Sequence, residues 1–429
     1  MLEMKDSGIE WIGKIPENWE VKKLKYCSSF IQAKYDSELG ELPYIGLENI
    51  VSWNGNYIDT DSVYDRNQSL VFAADDILWG KLRPYLAKVY HAPRNGCCSG
   101  EFCVIRVMNH LDKRYFWNLL ITSEFVETVN RSTYGTKMPR ANADFIKNIK
   151  VPIPPVDEQE RIACFLDTEC ARIDAVIEKT RASIEEYKNL KQAIITQAVT
   201  KGIRPNRQMK DSGSSWIGMI PIGWNAIISR FVLDQIGDVD HYMPESVDTG
   251  IPYVMTGDLK KTLSDIDFES CKKISSADYE ALSKKIKLSI GDIIFARYAT
   301  IGTVCYVDAE RDCIISYSCV TIKPTKDILH GKYLYYYLQA STFFEDVSQY
   351  INSNTQGNVG IEALYKVKIP VPPIAEQHEI ADYLDGKTIE IDGLMQKKEQ
   401  LLYELTEYKK ALIFEYVTGK KEVPSAPIF

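Results

Sequence analysis

The sequence has few side chains at spacings that support catalysis. The segment DGKT (385–388) ends like a phosphate-binding loop, but that loop needs a glycine where this chain has Ala381. No Gly-x-Gly-x-x-Gly, Gly-x-Ser-x-Gly or Asn/Asp-Pro-Pro-aromatic motif occurs, and the ten cysteines include no Cys-x-x-Cys pair. The histidines show no metal-ligand spacing; they are His91, His110, His241, His330 and His378. We therefore expect no catalytic residues, no metal ligands and reduced thiols.

Composition sets broad limits on the protein. The 429 residues are 45% apolar and 26% charged, which suits a globular protein of two or three domains. The net charge of −8 neither favours nor excludes a nucleic-acid partner, because cations can gather on one face. The sequence has no apolar run long enough to span a membrane and no secretory signal, so we expect a cytoplasmic location without membrane contact.

A sixteen-residue phrase occurs twice. MKDSGIEWIGKIPENW (4–19) returns as MKDSGSSWIGMIPIGW (209–224), and VPIPPVDEQERIACFLD (151–167) returns as IPVPPIAEQHEIADYLD (369–385). The chain is therefore an internal duplication of a variable segment followed by a helical one. We place the four segments at 1–155, 156–203, 204–372 and 373–429.

The two helical segments carry an apolar stripe. Residues 157–201 contain no Pro or Gly, a length of about 68 Å as a helix, and Asp157 with Glu160 predicts an N-terminal capping box. In both copies, residues at alternating spacings of four and three form a mostly apolar stripe, which predicts a coiled-coil seam. Two positions of this seam, 180/398 and 191/409, are occupied by polar residues in both copies. The apolar seam residues are Ile173, Ile177, Ile184, Tyr187 and Ile194, and Ile391, Met395, Leu402, Leu405 and Leu412.

The simplest way to bury both stripes is to pair the two helices, and the order of the segments favours an antiparallel pair. The alternative is that each helix packs on its own domain. In the second copy, Gly386, Gly393 and Ala375 (at the position of Asp157) predict a helix that begins later or bends.

The variable segments have a mixed α/β pattern. Short β-rich runs such as ILWGKL and DIIFARY alternate with amphipathic stretches such as RYFWNLLITSEFVETV and KYLYYYLQASTFFEDV. No long helical crossover joins two strands, so a doubly wound sheet is not indicated. The predicted fold class is α+β, with two mixed α/β domains separated by two long antiparallel helices.

This duplicated pattern resembles the specificity subunit of type I restriction–modification enzymes. The residues that carry the resemblance are SGIEWIGKIPENW, the IPxPPxxEQ segment and the long helix after it, each present twice, and together they cover nearly the whole chain. The resemblance implies two target recognition domains related by a pseudo-twofold axis, each reading one half of a bipartite double-stranded DNA target. It also implies that the paired helices form a coiled coil that sets the distance between the half-sites.

The resemblance further implies that catalysis resides on partners. Two modification subunits would carry the adenine-N6 methyltransferase sites, and restriction subunits would carry the translocase and nuclease. S-adenosylmethionine, ATP and Mg are accordingly expected on those subunits, and no cofactor on this chain. A DNA-binding regulator that acts alone and a protein-only coiled-coil scaffold are the alternative functions.

Polar loops at equivalent places supply the candidate DNA contacts. WGKLRPY (79–85) and ARYATIG (296–302) follow equivalent predicted strands, and YGTKMPRAN (134–142) and NSNTQGNVG (352–360) precede the helices. Arg and Lys suit guanine or phosphate, and Asn and Gln suit adenine. An ordinary solvated loop is the alternative for each residue. The candidates are Lys81, Arg83, Thr136, Lys137 and Arg140 in the first copy, and Arg297, Tyr298, Thr300, Asn354, Gln356 and Asn358 in the second.

Overall fold

The computed structural model describes residues 3–36, 40–60, 68–133, 135, 137–350 and 357–424. The chain divides into two units that do not follow simple chain order. Unit 1 comprises Met1–Arg181 and Gln400–Phe429, and unit 2 comprises Ala182–Glu399. Each unit therefore contains one variable domain, part of the helix that follows it, and part of the other long helix.

Unit 1 is built on a four-stranded antiparallel sheet of order β4-β10-β7-β8, a three-stranded sheet β5-β9-β6, and the two-stranded pairs β1-β2 and β3-β11. Its strands are β1 (Met4–Asp6), β2 (Lys14–Pro16), β3 (Glu20–Lys23), β4 (Ser28–Ile31), β5 (Tyr44–Ile45), β6 (Leu70–Phe72), β7 (Ile77–Gly80), β8 (Val89–His91), β9 (Gly96–Cys98), β10 (Phe102–Val107) and β11 (Lys150–Ile153). Its helices are α1 (Lys113–Leu120), α2 (Ser123–Arg131), α3 (Ala143–Asn148) and the first part of α4 (Val156–Lys201).

Unit 2 repeats the four-stranded sheet as β15-β21-β18-β19 and the two-stranded pairs as β12-β13 and β14-β22. Its three-stranded sheet, β17-β16-β20, differs, because the central strand is the first of the three in chain order, whereas in unit 1 it is the last. Its strands are β12 (Met209–Asp211), β13 (Met219–Pro221), β14 (Asn225–Ile228), β15 (Leu233–Gly237), β16 (Ile251–Val254), β17 (Lys272–Ile274), β18 (Ile293–Ala296), β19 (Val304–Tyr306), β20 (Ile314–Ile315), β21 (Cys319–Pro324) and β22 (Lys368–Val371). Its helices are α5 (Ser276–Leu282), α6 (Gly331–Tyr337), α7 (Ser341–Ser348), α8 (Ile361–Leu364) and most of α9 (Ile374–Val417).

The repeated phrase forms the same hairpin in both units. Met4 pairs with Pro16 in the first copy, and Met209 pairs with Pro221 in the second. The tryptophan that closes each phrase, Trp19 or Trp224, is buried in the core of its own unit. Burial of so large an apolar surface stabilises each unit by several kcal/mol, on the order of 25 cal/mol per Å². The phrase is thus a structural element of the fold.

The predicted amphipathic stretches each fold as two short helices. In unit 1, α1 ends before Ile121, and Thr122 caps α2 by accepting a hydrogen bond from the Phe125 amide. The core around them includes Trp79, whose indole N–H donates to the carbonyl of Leu120 at 3.1 Å. The break lets both helices cover the large sheet.

The two long helices begin at equivalent positions, Val156 and Ile374, directly after paired prolines. The expectation that the second helix begins later is therefore wrong. Gly386 and Gly393 lie inside it, in open space, and each costs about 1 kcal/mol relative to Ala. The predicted capping box is also wrong, because Asp157 already lies in the first helical turn.

The start of each long helix is fixed by a glutamine. Gln159 is fully buried, donates to the carbonyl of Pro154 at 2.8 Å and accepts from the amide of Asp112 at 3.1 Å. Gln377 repeats this arrangement with Pro372 and the amide of His330. This tertiary anchor replaces the predicted local cap and fixes both helix starts.

Within each unit the two long helices pair in antiparallel fashion. In unit 1 the rings of Phe165 and Tyr416 are 4.5 Å apart, and Asp174 bonds Lys409 at 2.7 Å. In unit 2 the Lys398 amine lies 5.7 Å from the Tyr187 ring, and Lys191 pairs with Asp392. Residue numbers rise along α4 as they fall along α9. The predicted fold class, with mixed α/β domains and paired long helices, is confirmed.

Candidate nucleic-acid interface

The two polar loops predicted in the first domain meet in the structure. The amide of Arg83 donates to the carbonyl of Pro139 at 2.8 Å, and the amide of Ala141 donates to the carbonyl of Lys81 at 2.9 Å. These bonds join the loop after β7 to the segment before α3. Side chains that are far apart in sequence thus share one surface.

The cationic side chains on this surface differ in their exposure and in their ion pairing. Arg83 and Lys137 are exposed, and Lys81 is half-buried. The exposed Arg140 guanidinium donates to the Glu101 carboxylate at 2.6 Å. Arg83 has a left-handed backbone with φ of 50°, which is strained for a non-glycine residue, although the observation assigns it no role by itself. The remaining candidate in this domain, Thr136, lies outside the described residues.

The second domain brings its equivalent loops together in the same way. The amide of Val359 donates to the carbonyl of Arg297 at 3.2 Å, which joins the loop after β18 to the segment before α8. Thr300 is exposed, and Tyr298 and Asn358 are half-buried. The candidates Asn354 and Gln356 lie outside the described residues.

Arg297 does not lie in an open loop as the sequence analysis expects. Its side chain is only 8% exposed, and its guanidinium forms an ion pair with the Asp238 carboxylate at 2.9 Å. The same terminal nitrogen is 3.1 Å from Nε2 of His241. The reason is that β18 ends at Ala296, so Arg297 directly follows the strand and its side chain still packs against the end of the sheet.

Sequence reasoning missed the residues that surround Arg297. Asp238 and His241 follow β15, with Nε2 of His241 within hydrogen-bond distance of the Asp238 carboxylate at 2.8 Å, and the His241 ring stacks on Tyr317 with centroids 5.2 Å apart. The available signal was the polar run DVDHY (238–242), which directly follows β15, a strand that the sequence analysis did not predict. Its partner, Arg297, is 56 residues away and could not be identified from spacing.

Cysteines near both loop pairs are inert packing groups. Burial raises the pKa of Cys103 to about 11 despite the nearby charge of Lys81. Burial likewise raises the pKa of Cys319 to about 12 against the opposing charge of Arg297. Both thiols stay protonated near neutral pH. Among the residues that the structure describes, no group of three or more His, Cys, Asp or Glu side chains is arranged to hold a metal ion.

The ten apolar seam residues are placed along the helix pairs. Ile173, Ile177, Ile184, Ile391 and Leu412 are buried, and the rest are half-buried. These half-buried residues are Tyr187, Ile194, Met395, Leu402 and Leu405.

One of the two polar seam positions, 191/409, forms the same kind of ion pair in both units. Lys191 bonds Asp392 at 2.8 Å in unit 2, and the corresponding Lys409 bonds Asp174 at 2.7 Å in unit 1. Although burial alone would raise it, the hydrogen bonds and charges of Lys191 and Lys261 lower the pKa of Asp392. A pair of charges inside an apolar seam penalises any other register of the two helices.

A tyrosine ties each domain to the helix of the opposite copy. The buried Tyr115 hydroxyl lies 2.9 Å from the carbonyl oxygen of Val417, near the end of α9. The buried Tyr333 hydroxyl lies 2.9 Å from the carbonyl oxygen of Val199, near the end of α4. Sequence reasoning missed both, although a tyrosine recurs at the same place in each copy.

In the part of the chain that the structure describes, no helix is both long enough and apolar enough to cross a bilayer.

Comparison with known proteins identifies the duplicated segments. A family model described as the type I restriction modification DNA specificity domain matches residues 16–186 and 237–403. The specificity subunit of the type I restriction enzyme MjaVIII of Methanocaldococcus jannaschii is 24% identical over 426 residues, covering 96% of this chain and 94% of the relative. The EcoBI specificity subunit of Escherichia coli is 21% identical, with 97% of this chain and 89% of the relative covered.

Solved structures support the same fold. A chain from a study of complex assembly and conformational transition of the type I R-M system has a TM-score of 0.75 at 18% identity, covering 95% of this chain and 99% of the other. The HsdS subunit from Thermoanaerobacter tengcongensis has a TM-score of 0.51 at 20% identity, covering 95% and 98%. At these identities the likeness shows the fold alone. Because the family model matches most of the chain in two copies, the chain belongs to the family of type I restriction–modification DNA specificity proteins, and its duplicated domains are target recognition domains.

Proposed function

We propose that each of the two domains reads one half of a bipartite double-stranded DNA target. The observation that carries this proposal is the repeated joining of polar loops: Ala141 to Lys81 in the first domain and Val359 to Arg297 in the second. The first joined pair presents polar and cationic side chains from two segments on one surface, and the second presents polar side chains beside the buried Arg297. Such a surface suits base edges and phosphates together. The loops differ in sequence between the domains, so the half-sites differ.

The paired helices fix the distance between the half-sites. The seam positions are apolar except at a few polar places, and the Lys191–Asp392 and Lys409–Asp174 pairs favour a single register. A fixed register gives the helix pair a fixed length. A spacer between two DNA-reading domains needs a fixed length to keep the half-sites at a constant distance.

Catalysis belongs to partner subunits in this proposal. Two modification subunits with adenine-N6 methyltransferase sites dock on the helices, and restriction subunits join them. S-adenosylmethionine, ATP and Mg bind those partners, and this chain contributes recognition only. The family membership and the absence of familiar catalytic motifs from the sequence support this division of labour.

Exchange of one domain tests the proposal. Residues 1–155 would be replaced by the equivalent segment of a relative with a different target, and the methylated motif would be sequenced in cells that also express the modification subunit. We expect one half of the motif to change and the other half to stay the same. The matched exchange of residues 204–372 is expected to change the opposite half.

Either exchange contradicts the proposal if it alters both halves. Binding assays on the unmodified chain separate the alternative functions: a stand-alone regulator binds specific DNA without modification subunits, and a protein-only scaffold binds no DNA even with them.

A further inference from the structure

The second domain contains a partly buried group of three polar side chains that the sequence did not reveal. The Asp238 carboxylate forms an ion pair with the Arg297 guanidinium at 2.9 Å, and Nε2 of His241 lies 2.8 Å from Asp238 and 3.1 Å from the same Arg297 nitrogen. The three side chains come from the ends of two strands, β15 and β18, which are both neighbours of β21 in the large sheet. The group therefore rests on a rigid support.

Arg297 is committed to this group. A buried guanidinium without a counter-charge costs several kcal/mol, so its pairing with Asp238 is needed in the folded domain. Its Nε atom is also buried and has no hydrogen-bond partner among the described residues. Movement of Arg297 out to a guanine would leave Asp238 without its cation. Arg297 is thus better suited to hold Asp238 than to contact DNA.

His241 is the exposed member of the group. Its side chain is 54% exposed, whereas that of Asp238 is 16% exposed. Nε2 lies within hydrogen-bond distance of both the Asp238 carboxylate, at 2.8 Å, and the Arg297 guanidinium, at 3.1 Å, so this ring nitrogen is used within the group. Nδ1 is the ring nitrogen left for an external partner, and it donates or accepts according to the tautomer. Stacking on Tyr317, at an interplanar angle of 29°, fixes the plane of the ring.

We propose that His241 is a specificity-determining residue whose Nδ1 makes a hydrogen bond with a base edge of the second half-site, with Asp238 and Arg297 as positioning residues. In the major groove an unprotonated Nδ1 accepts from N6 of adenine or N4 of cytosine, and a protonated Nδ1 donates to N7 of a purine. The inference rests on the proposed function, since it requires the second domain to read DNA. It moves the direct contact from Arg297, the sequence candidate, to a residue that Arg297 supports.

The test uses the complex of this chain with its modification subunits and a duplex that carries its methylated motif. Adenines are replaced one at a time by purine, which lacks the N6 amino group, cytosines by pyrimidin-2-one, which lacks the N4 amino group, and purines by their 7-deaza analogues, which lack the N7 acceptor. For the wild-type complex we expect one replacement in the second half-site to weaken binding roughly tenfold, the equivalent of one hydrogen bond. The replacement that weakens binding identifies the contacted base atom.

The His241→Ala complex should be insensitive to that one replacement and should respond normally to all others. Asp238→Ala should reduce the same sensitivity, because the ring is no longer held. Asp240→Ala removes a neighbouring carboxylate that pairs with Lys285 and serves as the matched control, with wild-type sensitivity. Wild-type responses to the other replacements in the second half-site report correct folding of the second domain in every variant.

Two results would overturn the inference. In one, His241→Ala keeps the wild-type response to every replacement. In the other, it weakens binding to all duplexes equally, as loss of a phosphate contact does. A wild-type complex without sequence preference in the second half-site would instead contradict the proposed function.

Discussion

The hydroxyl of Tyr115 lies 2.9 Å from the carbonyl oxygen of Val417, 302 residues further along the chain. The first domain thereby contacts the end of the helix that follows the second domain. Tyr333 and Val199 repeat the relationship in unit 2. Each compact unit is therefore closed by a helix end that the other copy supplies, and this explains why the units do not follow chain order.

Removal of either tyrosine hydroxyl should weaken its unit. Tyr115→Phe leaves the buried carbonyl of Val417 without this donor, and we expect a loss of about 1–2 kcal/mol in the free energy of unfolding. Tyr333→Phe should have a similar effect in unit 2. Urea denaturation measures both losses, with Tyr26→Phe as the control because Tyr26 is 61% exposed. Equal stability of all three variants would contradict the role given to the buried hydroxyls.

The seam ion pair of unit 1 should respond asymmetrically to substitution. The Lys409 side chain is 14% exposed and that of Asp174 is 42% exposed, so the lysine depends more on its partner. We expect Asp174→Leu to cost about 2 kcal/mol, Lys409→Met about 1 kcal/mol, and the double variant less than the sum. A double-mutant cycle by chemical denaturation measures the coupling, with the exposed Glu178–Arg181 pair as the control. Additive losses would show that the pair does not act as a unit.

Unit 2 should lose stability in mild acid through His330. Burial, together with the neighbouring His378, lowers the pKa of His330 below its ordinary value of 6.5, against the opposing charges of Asp382 and Asp385. The unfolded chain then binds the proton more readily, so stability present above about pH 6.5 is lost as the pH falls through that value. We expect His330→Asn to show a shallower fall in melting temperature between about pH 7.5 and 5.5. Identical pH profiles would contradict this role.

The duplicated helix surfaces should bind two modification subunits. Because both compact units contain the same arrangement of domain and paired helices, we expect one copy of this chain with two copies of that partner. Native mass spectrometry at saturating partner measures the ratio. A complex that stops at one-to-one would contradict the equivalence of the two surfaces.

Much of the fold could be predicted from the sequence. The repeated phrase, the runs of alternating apolar residues and the long segment without Pro or Gly predicted two similar α/β domains and two long helices, because these signals are local. The seam residues followed from heptad spacing. The start of the second helix was predicted wrongly, because Gln377 fixes it through tertiary hydrogen bonds rather than a local cap.

Less of the candidate interface could be predicted from the sequence. Loop chemistry identified residues that the structure brings together, such as Lys81 and Arg140, but it could not show which side chains are already paired. The ion pair between Arg297 and Asp238 forms because the folded sheet brings the ends of two strands together. The contact of Tyr115 with Val417 likewise depends on the antiparallel return of a distant helix. The DNA contacts themselves stay predictions.

The length of the paired helices provides the most direct test of the central claim that they set the spacing between two half-sites. Unit 1 ends at Arg181 on α4 and resumes at Gln400 on α9, so one heptad would be inserted after Arg181 and another after Glu399. Seven residues add about 10.5 Å of helix, or roughly three base pairs of DNA, and keep the seam in register. Insertion into one helix only should abolish activity and serves as the control. Sequencing of the methylated motif should show both half-sites unchanged and a gap about three base pairs longer, whereas an active double insertion with the original gap would contradict the account.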